Sequence, residues 1–163
     1  TARDFGLDRL TFIEMMARSY YESGQFERAV EEYETLTNNL DRNPLKLTYN
    51  LGSSLLGAGE YTRAEALLED AFDSGYRNVN IYNQRGLVKE LRGEAVEAQA
   101  IFLEGIQWGT INNRSVEILR RNLDRSLAGE PIEPLVDWIA PVDEDLDIPY
   151  WRRLNQEKNI GRL

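Results

Sequence analysis

Three glycines set the frame of this chain. Gly24, Gly59 and Gly93 stand 35 and 34 residues apart. Five residues after each comes an alanine (Ala29, Ala64, Ala98), and four residues further a large apolar side chain (Tyr33, Leu68, Phe102). Seven residues before each glycine stands another small residue: Ala17, Gly52, Gly86. Four aligned columns at one period mark a chain assembled from copies of one supersecondary unit.

The residue types explain the columns. Upstream of the glycines the apolar residues follow helical spacing, Ile13, Met16, Tyr20 and then Leu51, Leu55; downstream it resumes with Ala29, Tyr33, Leu36 and Ala64, Leu68, Ala71. Each unit therefore reads as two helices, with the glycine ending the first in a left-handed conformation. The small residues let the paired helices approach, and the large residue fills the groove beside them. One such pair cannot cover its own apolar face, so the units must stack.

The stretches Met16-Ala17…Tyr20…Gly24-Gln25-Phe26…Ala29…Tyr33…Leu36, Leu51-Gly52…Leu55…Gly59-Glu60-Tyr61…Ala64…Leu68…Ala71 and Tyr82…Arg85-Gly86…Gly93-Glu94-Ala95…Ala98…Phe102…Gly105 resemble the tetratricopeptide repeat over residues 8–108. Two departures stand out. The proline that often closes the unit is missing from all three, Pro44 being displaced by a few residues, and Lys89 occupies a tyrosine column, which implies a wetter face there. Continuing the period puts Val116, Leu119 and Leu123 on a further apolar stripe, while Arg120 falls in the small-residue column. A long cation is tolerable there only if no further helix packs on it. Residues 112–128 are therefore expected to form a capping helix, with Asn113 or Ser115 as N-cap and Gly129 past its end. The expected fold is all-α: a right-handed helical-hairpin solenoid of three repeats (about 10–43, 45–78 and 79–111), the capping helix, and an irregular tail over 130–163.

Composition narrows the chemistry. The chain of 163 residues has no cysteine and no histidine and carries a formal charge of −9. Disulfides, thiolate metal sites, cysteine nucleophiles, serine–histidine triads and imidazole proton shuttles are excluded together. Acidity opposes phosphate backbones, so nucleic acid is not an expected partner. No apolar run is long enough to cross a bilayer, so direct membrane insertion is not expected, and the chain reads as soluble, in cytoplasm or periplasm alike. A chain that begins Thr-Ala-Arg-Asp is expected to be a processed or excised form. No cofactor and no metal are expected. The alternating acids of Asp143-Glu144-Asp145-Leu146-Asp147 lack the glycine and distal glutamate of a calcium loop, Ile148 and Leu154 standing in their places. Adjacent carboxylates such as Glu31 and Glu32 point apart on a helix, and Gly57-Ala58-Gly59 ends a helix where a phosphate loop must begin one. No enzyme is expected.

The tail differs from the body. Four of the five prolines and seven acids with no base fall in 130–149, followed by Arg152, Arg153, Lys158 and Arg162. Trp138, Ile148, Tyr150, Trp151 and Leu154 are too apolar for a solvated linker. They are expected to fold back on the body or to dock into a groove, of this chain, a second copy or a partner. A short helix from Tyr150 to Lys158 is expected behind Pro149.

The resemblance implies a concave groove lined by the first helix of each unit. It puts Glu14, Arg18 and Tyr21 there from the first unit, Lys46, Tyr49, Asn50, Ser53 and Leu56 from the second, and Asn80, Asn83, Gln84, Leu87 and Glu90 from the third. The subfamily that clamps a chaperone's terminal carboxylate with two lysines, two asparagines and an arginine is not matched. Of Glu14, Arg18, Asn50, Asn80 and Gln84 only Asn50 agrees, and Glu14 would repel the carboxylate. The implied function is a non-catalytic interaction module, adaptor or scaffold, holding a partner protein or peptide in that groove. The competing expectation is a structural subunit that forms homo-oligomers through its tail and convex face.

Overall fold

The computed structural model describes residues 2–160 in backbone and 9–157 in side chains. Helices run α1 Ala2–Glu22, α2 Phe26–Asn38, α3 Leu45–Gly57, α4 Tyr61–Asp73, α5 Val79–Leu91, α6 Ala95–Ile111, α7 Glu117–Leu127 and α8 Ile148–Ile160, with a 3-10 turn at Leu135–Asp137. No strand occurs among the described residues. The pairs α1–α2, α3–α4 and α5–α6 are tight hairpins; α2–α3, α4–α5 and α6–α7 pack across unit boundaries. The architecture is the helical-hairpin solenoid that the period demands.

The columns perform as their chemistry requires. Gly24, Gly59 and Gly93 have φ of 77°, 82° and 84° and end α1, α3 and α5. The amides that follow close the turn: Gln25 N–H donates to Tyr20 O at 2.8 Å, Glu60 N–H to Leu55 O at 3.0 Å and Glu94 N–H to Lys89 O at 2.9 Å. Tyr33, Leu68 and Phe102 are fully buried, and so are Ala29, Ala64 and Ala98. At Gly86 the hairpin is so close that an added Cβ would collide with the Phe102 ring.

Pro44 opens a helix here: it is the N-cap of α3, in extended backbone, where its missing N–H costs nothing. Lys89 donates to Glu65 at 2.5 Å, and Arg92 meets the same carboxylate at 2.6 Å, so the polar column is an ion-pair seam between units. Arg63 to Glu34 and Arg85 to Glu69, both at 2.8 Å, continue such seams.

The capping helix starts later than expected. α6 runs on to Ile111, Asn113 takes a positive φ of 55° in the turn, and α7 begins at Glu117. Its N-cap is Val116, without a side-chain cap bond, and neither Asn113 nor Ser115 fills that role. Leu119 is buried and Arg120 is exposed. The tail is less irregular than its prolines suggest, since α8 spans Ile148–Ile160 and packs against α1.

Candidate functional site

The first helices of the units, α1, α3 and α5, together with α7, present a row of phenols and amides to one surface. Segment 138–146 of the same chain lies across that surface. Its backbone is read by side chains. Asn83 and Asn122 donate to Trp138 O at 3.0 and 3.1 Å. Gln84 accepts from Ala140 N–H at 3.0 Å, and Tyr21 donates to Ala140 O at 2.6 Å. Tyr49 donates to Pro141 O at 2.8 Å. Asn50 pairs with both polar groups of Asp143, accepting from its N–H and donating to its C=O, each at 2.8 Å. An amide side chain is doing here what a neighbouring strand does in a sheet.

These readers are themselves held. Gln84 Nε2 donates to the Tyr21 hydroxyl at 3.0 Å, and Asn83 Nδ2 reaches Gln84 Oε1 at 3.2 Å. Asn122 Nδ2 donates to Asn83 Oδ1 at 2.7 Å, and Asn122 Oδ1 accepts from Arg125 Nε at 3.2 Å. The Arg125 guanidinium, 1% exposed, then forks onto Glu90 at 2.5 and 2.9 Å. One connected network thus runs from α1 through α5 to α7, with the buried amides satisfied by one another and by the segment. Burial pushes the phenols of Tyr21, Tyr49 and Tyr76 well above their ordinary value, so each keeps its proton and donates.

Side chains of the segment alternate as an extended strand's do. Ala140 and Val142 are buried, while Pro141 between them is exposed. Trp138 lies beneath two guanidiniums, Arg121 and Arg125, at 5.0 and 5.2 Å from its ring centre. Asp143 Oδ2 accepts from the Tyr76 hydroxyl at 2.9 Å, and Asp145 meets Lys46 at 3.5 Å. Leu146 and Ile148 then enter the core.

The structure thus brings Tyr21, Lys46, Tyr49, Asn50, Asn83 and Gln84 onto one occupant, and Glu90 supports it through Arg125. Leu56, Ser53 and Leu87 are fully buried. Tyr49, Asn50, Asn83 and Gln84 are equally buried with the segment in place. Arg18 lies 3.8 Å from Glu14 on the next turn of α1. Glu14 is 6% exposed and lines a small cavity with Thr11, Glu144 and Asp147. Burial, and then the Glu144 charge, raise its carboxyl above the ordinary value, against the pull of Arg18. Asn80 stands apart, in a separate cleft with Asn78, Trp108 and Arg114.

Of the tail residues, Trp138 and Ile148 pack on the body of their own chain. Trp151 lies under Arg42 at 5.7 Å, at the edge of a cleft that Lys46, Tyr76 and Arg77 also line. Leu154 is half-buried, and Tyr150 is 44% exposed. Sequence reasoning missed Asn122, Arg121, Arg125, Tyr76, Ala140 and Val142. One signal was present: uncharged amides at Asn50, Asn83 and Gln84 on one solenoid face need a partner with both donors and acceptors, and a peptide backbone is one. Among the described residues no cluster of acids fit to hold a metal occurs.

A search of curated proteins returns no match to the chain. Residues 49–108, which hold most of α3, all of α4 and α5 and most of α6, match the tetratricopeptide repeat family model. Repeats of this family generally mediate protein–protein interactions. The hairpin α1–α2 repeats the matched form ahead of those residues, so the chain has a fold consistent with a tetratricopeptide repeat solenoid.

Proposed function

We propose that this chain is a non-catalytic protein-interaction module whose concave surface is a receptor for an extended peptide, and that segment 138–146 is the occupant it carries for itself. The observation behind the reading is Asn50. A single side-chain amide engages both the N–H and the C=O of Asp143, a geometry selective for main chain in extended form. A partner gains the site by exchange with the resident segment. A tethered ligand acts at an effective concentration of the order of millimolar. An incoming peptide therefore binds the intact chain far more weakly than it binds a chain whose own segment has been displaced.

The test keeps the full chain. Ala140→Asp with Val142→Asp puts two charges on buried positions and releases the segment. A labelled peptide of residues 136–146 is then titrated by fluorescence anisotropy. The released chain binds it, and the parent chain binds at least tenfold more weakly. No binding to a released chain that keeps its helical circular dichroism ends the receptor reading.

A second reading, a structural subunit that associates with its own copies through the convex face, draws on the outer row of α6. Val96, Leu103 and Ile111 are 75%, 48% and 83% exposed at helical spacing. It requires a dimer in light scattering that Leu103→Glu dissociates; a monomer at high concentration removes it.

A further inference from the structure

The groove contacts the resident segment through side chains as well as through its backbone, and it does so unequally from one position to the next. Trp138 has its ring under Arg121 and Arg125. Two residues on, Ala140 is fully buried, with its C=O held by Tyr21 and its N–H by Gln84. Two residues further, Val142 is 5% exposed. Asp143 is then met by the Tyr76 hydroxyl, and Asp145 by Lys46. Between the buried positions Pro141 faces solvent, and its carbonyl is bound by Tyr49. A proline has no N–H to satisfy there and holds its φ near the extended value. Exposed Pro141 therefore tolerates exchange, and buried Ala140 and Val142 do not.

Resting on the receptor reading above, we infer that the groove is sequence-selective, and that the partner it fits is an extended acidic segment with an aromatic residue, a small residue two places on, an apolar residue two places after that, and an aspartate immediately following. Charge agrees with geometry. The chain is acidic as a whole, at −9, yet the side chains that meet the segment's ring and its acids include Arg121, Arg125 and Lys46. The Asp143 contact selects by hydrogen bonding; the two arginines select for a π face.

The experiment uses the full-length Ala140→Asp/Val142→Asp chain and a panel of labelled peptides of residues 136–146. The unaltered peptide binds. Peptides with Trp138→Ala, Ala140→Trp or Val142→Asp bind at least tenfold more weakly, and Asp143→Asn costs threefold or more. Pro141→Ala stays within threefold. If all five bind alike, the groove reads backbone only and the selectivity is refuted while the receptor reading stands. If no peptide binds a folded released chain, the receptor reading itself fails. Should the released chain lose its helices, the ranking is read within the chain. Single substitutions Ala140→Trp and Pro141→Ala are then compared by amide hydrogen exchange over 138–146. Ala140→Trp speeds exchange there at least tenfold while α3 to α6 stay protected, and Pro141→Ala leaves it within threefold. Equal exchange in the two overturns the inference.

Discussion

At the scale of single residues, the fold is fixed by places where a side chain is absent. Gly86 is required because Phe102 occupies the space its Cβ would need. Gly86→Ala forces that ring off its rotamer, at a cost of about 1–3 kcal/mol. The melting temperature falls by about 2–4 °C for each of those kcal/mol in a chain of this size. Pairing the change with Phe102→Leu recovers part of the loss, which thermal melts of the single and double variants measure directly. Additive losses would remove the steric explanation. This column is legible in the amino-acid sequence, because small and large residues recur in phase and a hairpin has only one use for such a pair. Glu14 is not legible in the same way. Its helical position marks it as groove-facing, but its burial depends on Glu144 and Leu146 arriving from the tail. Its carboxyl lies above the ordinary value of 4.5, chiefly through burial. The ionised folded form is therefore disfavoured, and the group costs stability at neutral pH. That cost disappears as pH falls through the folded value towards 4.5. Glu14→Gln accordingly raises the melting temperature at pH 7, and the gain shrinks to nothing below about pH 4. Glu65 works with the opposite sign. Burial opposes its charge, but Lys89 and Arg92 outweigh burial and hold the carboxyl low, so its contribution is lost only as pH falls below 4.5. A Glu14→Gln chain that melts lower than the parent at neutral pH would contradict this account.

Between elements, the decisive contact is the one that joins α5 to α7. Glu90 and Arg125 form a forked pair with side chains 13% and 1% exposed, and the same guanidinium supports Asn122 and binds Glu130 O at 2.9 Å. Removing one partner of such a pair leaves a buried charge with no counterpart. Arg125→Met therefore costs about 3–5 kcal/mol. Replacing both members, with Glu90→Gln added, costs less than the single change, because the stranded carboxylate is gone. Urea unfolding of the two variants decides it, and a double variant weaker than Arg125→Met alone counts against the pair's role. The helices of this region followed from periodicity, apart from the start of α7. There the sequence offers two good capping residues, Asn113 and Ser115, and the chain uses neither. α6 is apolar along much of its length and continues to Ile111, and the turn that follows places Asn113 in a left-handed conformation that asparagine tolerates. The pairing of the groove amides with the tail was beyond the sequence for a different reason. Amides carry no sign that names a partner, and the apolar residues of the tail call for burial without saying whether the body, its own groove, a second copy or a partner supplies it.

Across the whole molecule, that segment changes how a short solenoid holds together. Stacked repeats touch only their neighbours, so their cooperativity comes from successive interfaces. Segment 138–146 breaks this rule by contacting α1 at Tyr21, α3 at Tyr49 and Asn50, α5 at Asn83 and Gln84, and α7 at Asn122. α8 then returns to α1. The first and last units are tied by a strap that crosses every unit between them. No unit can open without breaking contacts made by the others, and the chain should unfold as one body. In urea, helical circular dichroism and tryptophan fluorescence of the parent chain follow a single coincident transition. Ala140→Asp/Val142→Asp removes the strap and leaves the hairpins. Its two signals separate, since with Trp138 already free the fluorescence follows Trp108 in α6 while the dichroism follows every helix, and the apparent slope with denaturant falls as less surface is exposed in each step. If both chains instead give coincident curves of equal slope, nearest-neighbour packing alone accounts for cooperativity and the strap is a passenger. A separated transition carries a functional consequence. On the proposed receptor reading, the contacts that a partner displaces are the same ones that hold the units together, so release of the segment loosens the solenoid until the partner replaces them. Amide exchange in α1 and α7 then rises on peptide exchange in proportion to the segment released, which couples occupancy of the groove to the stability of both ends of the chain.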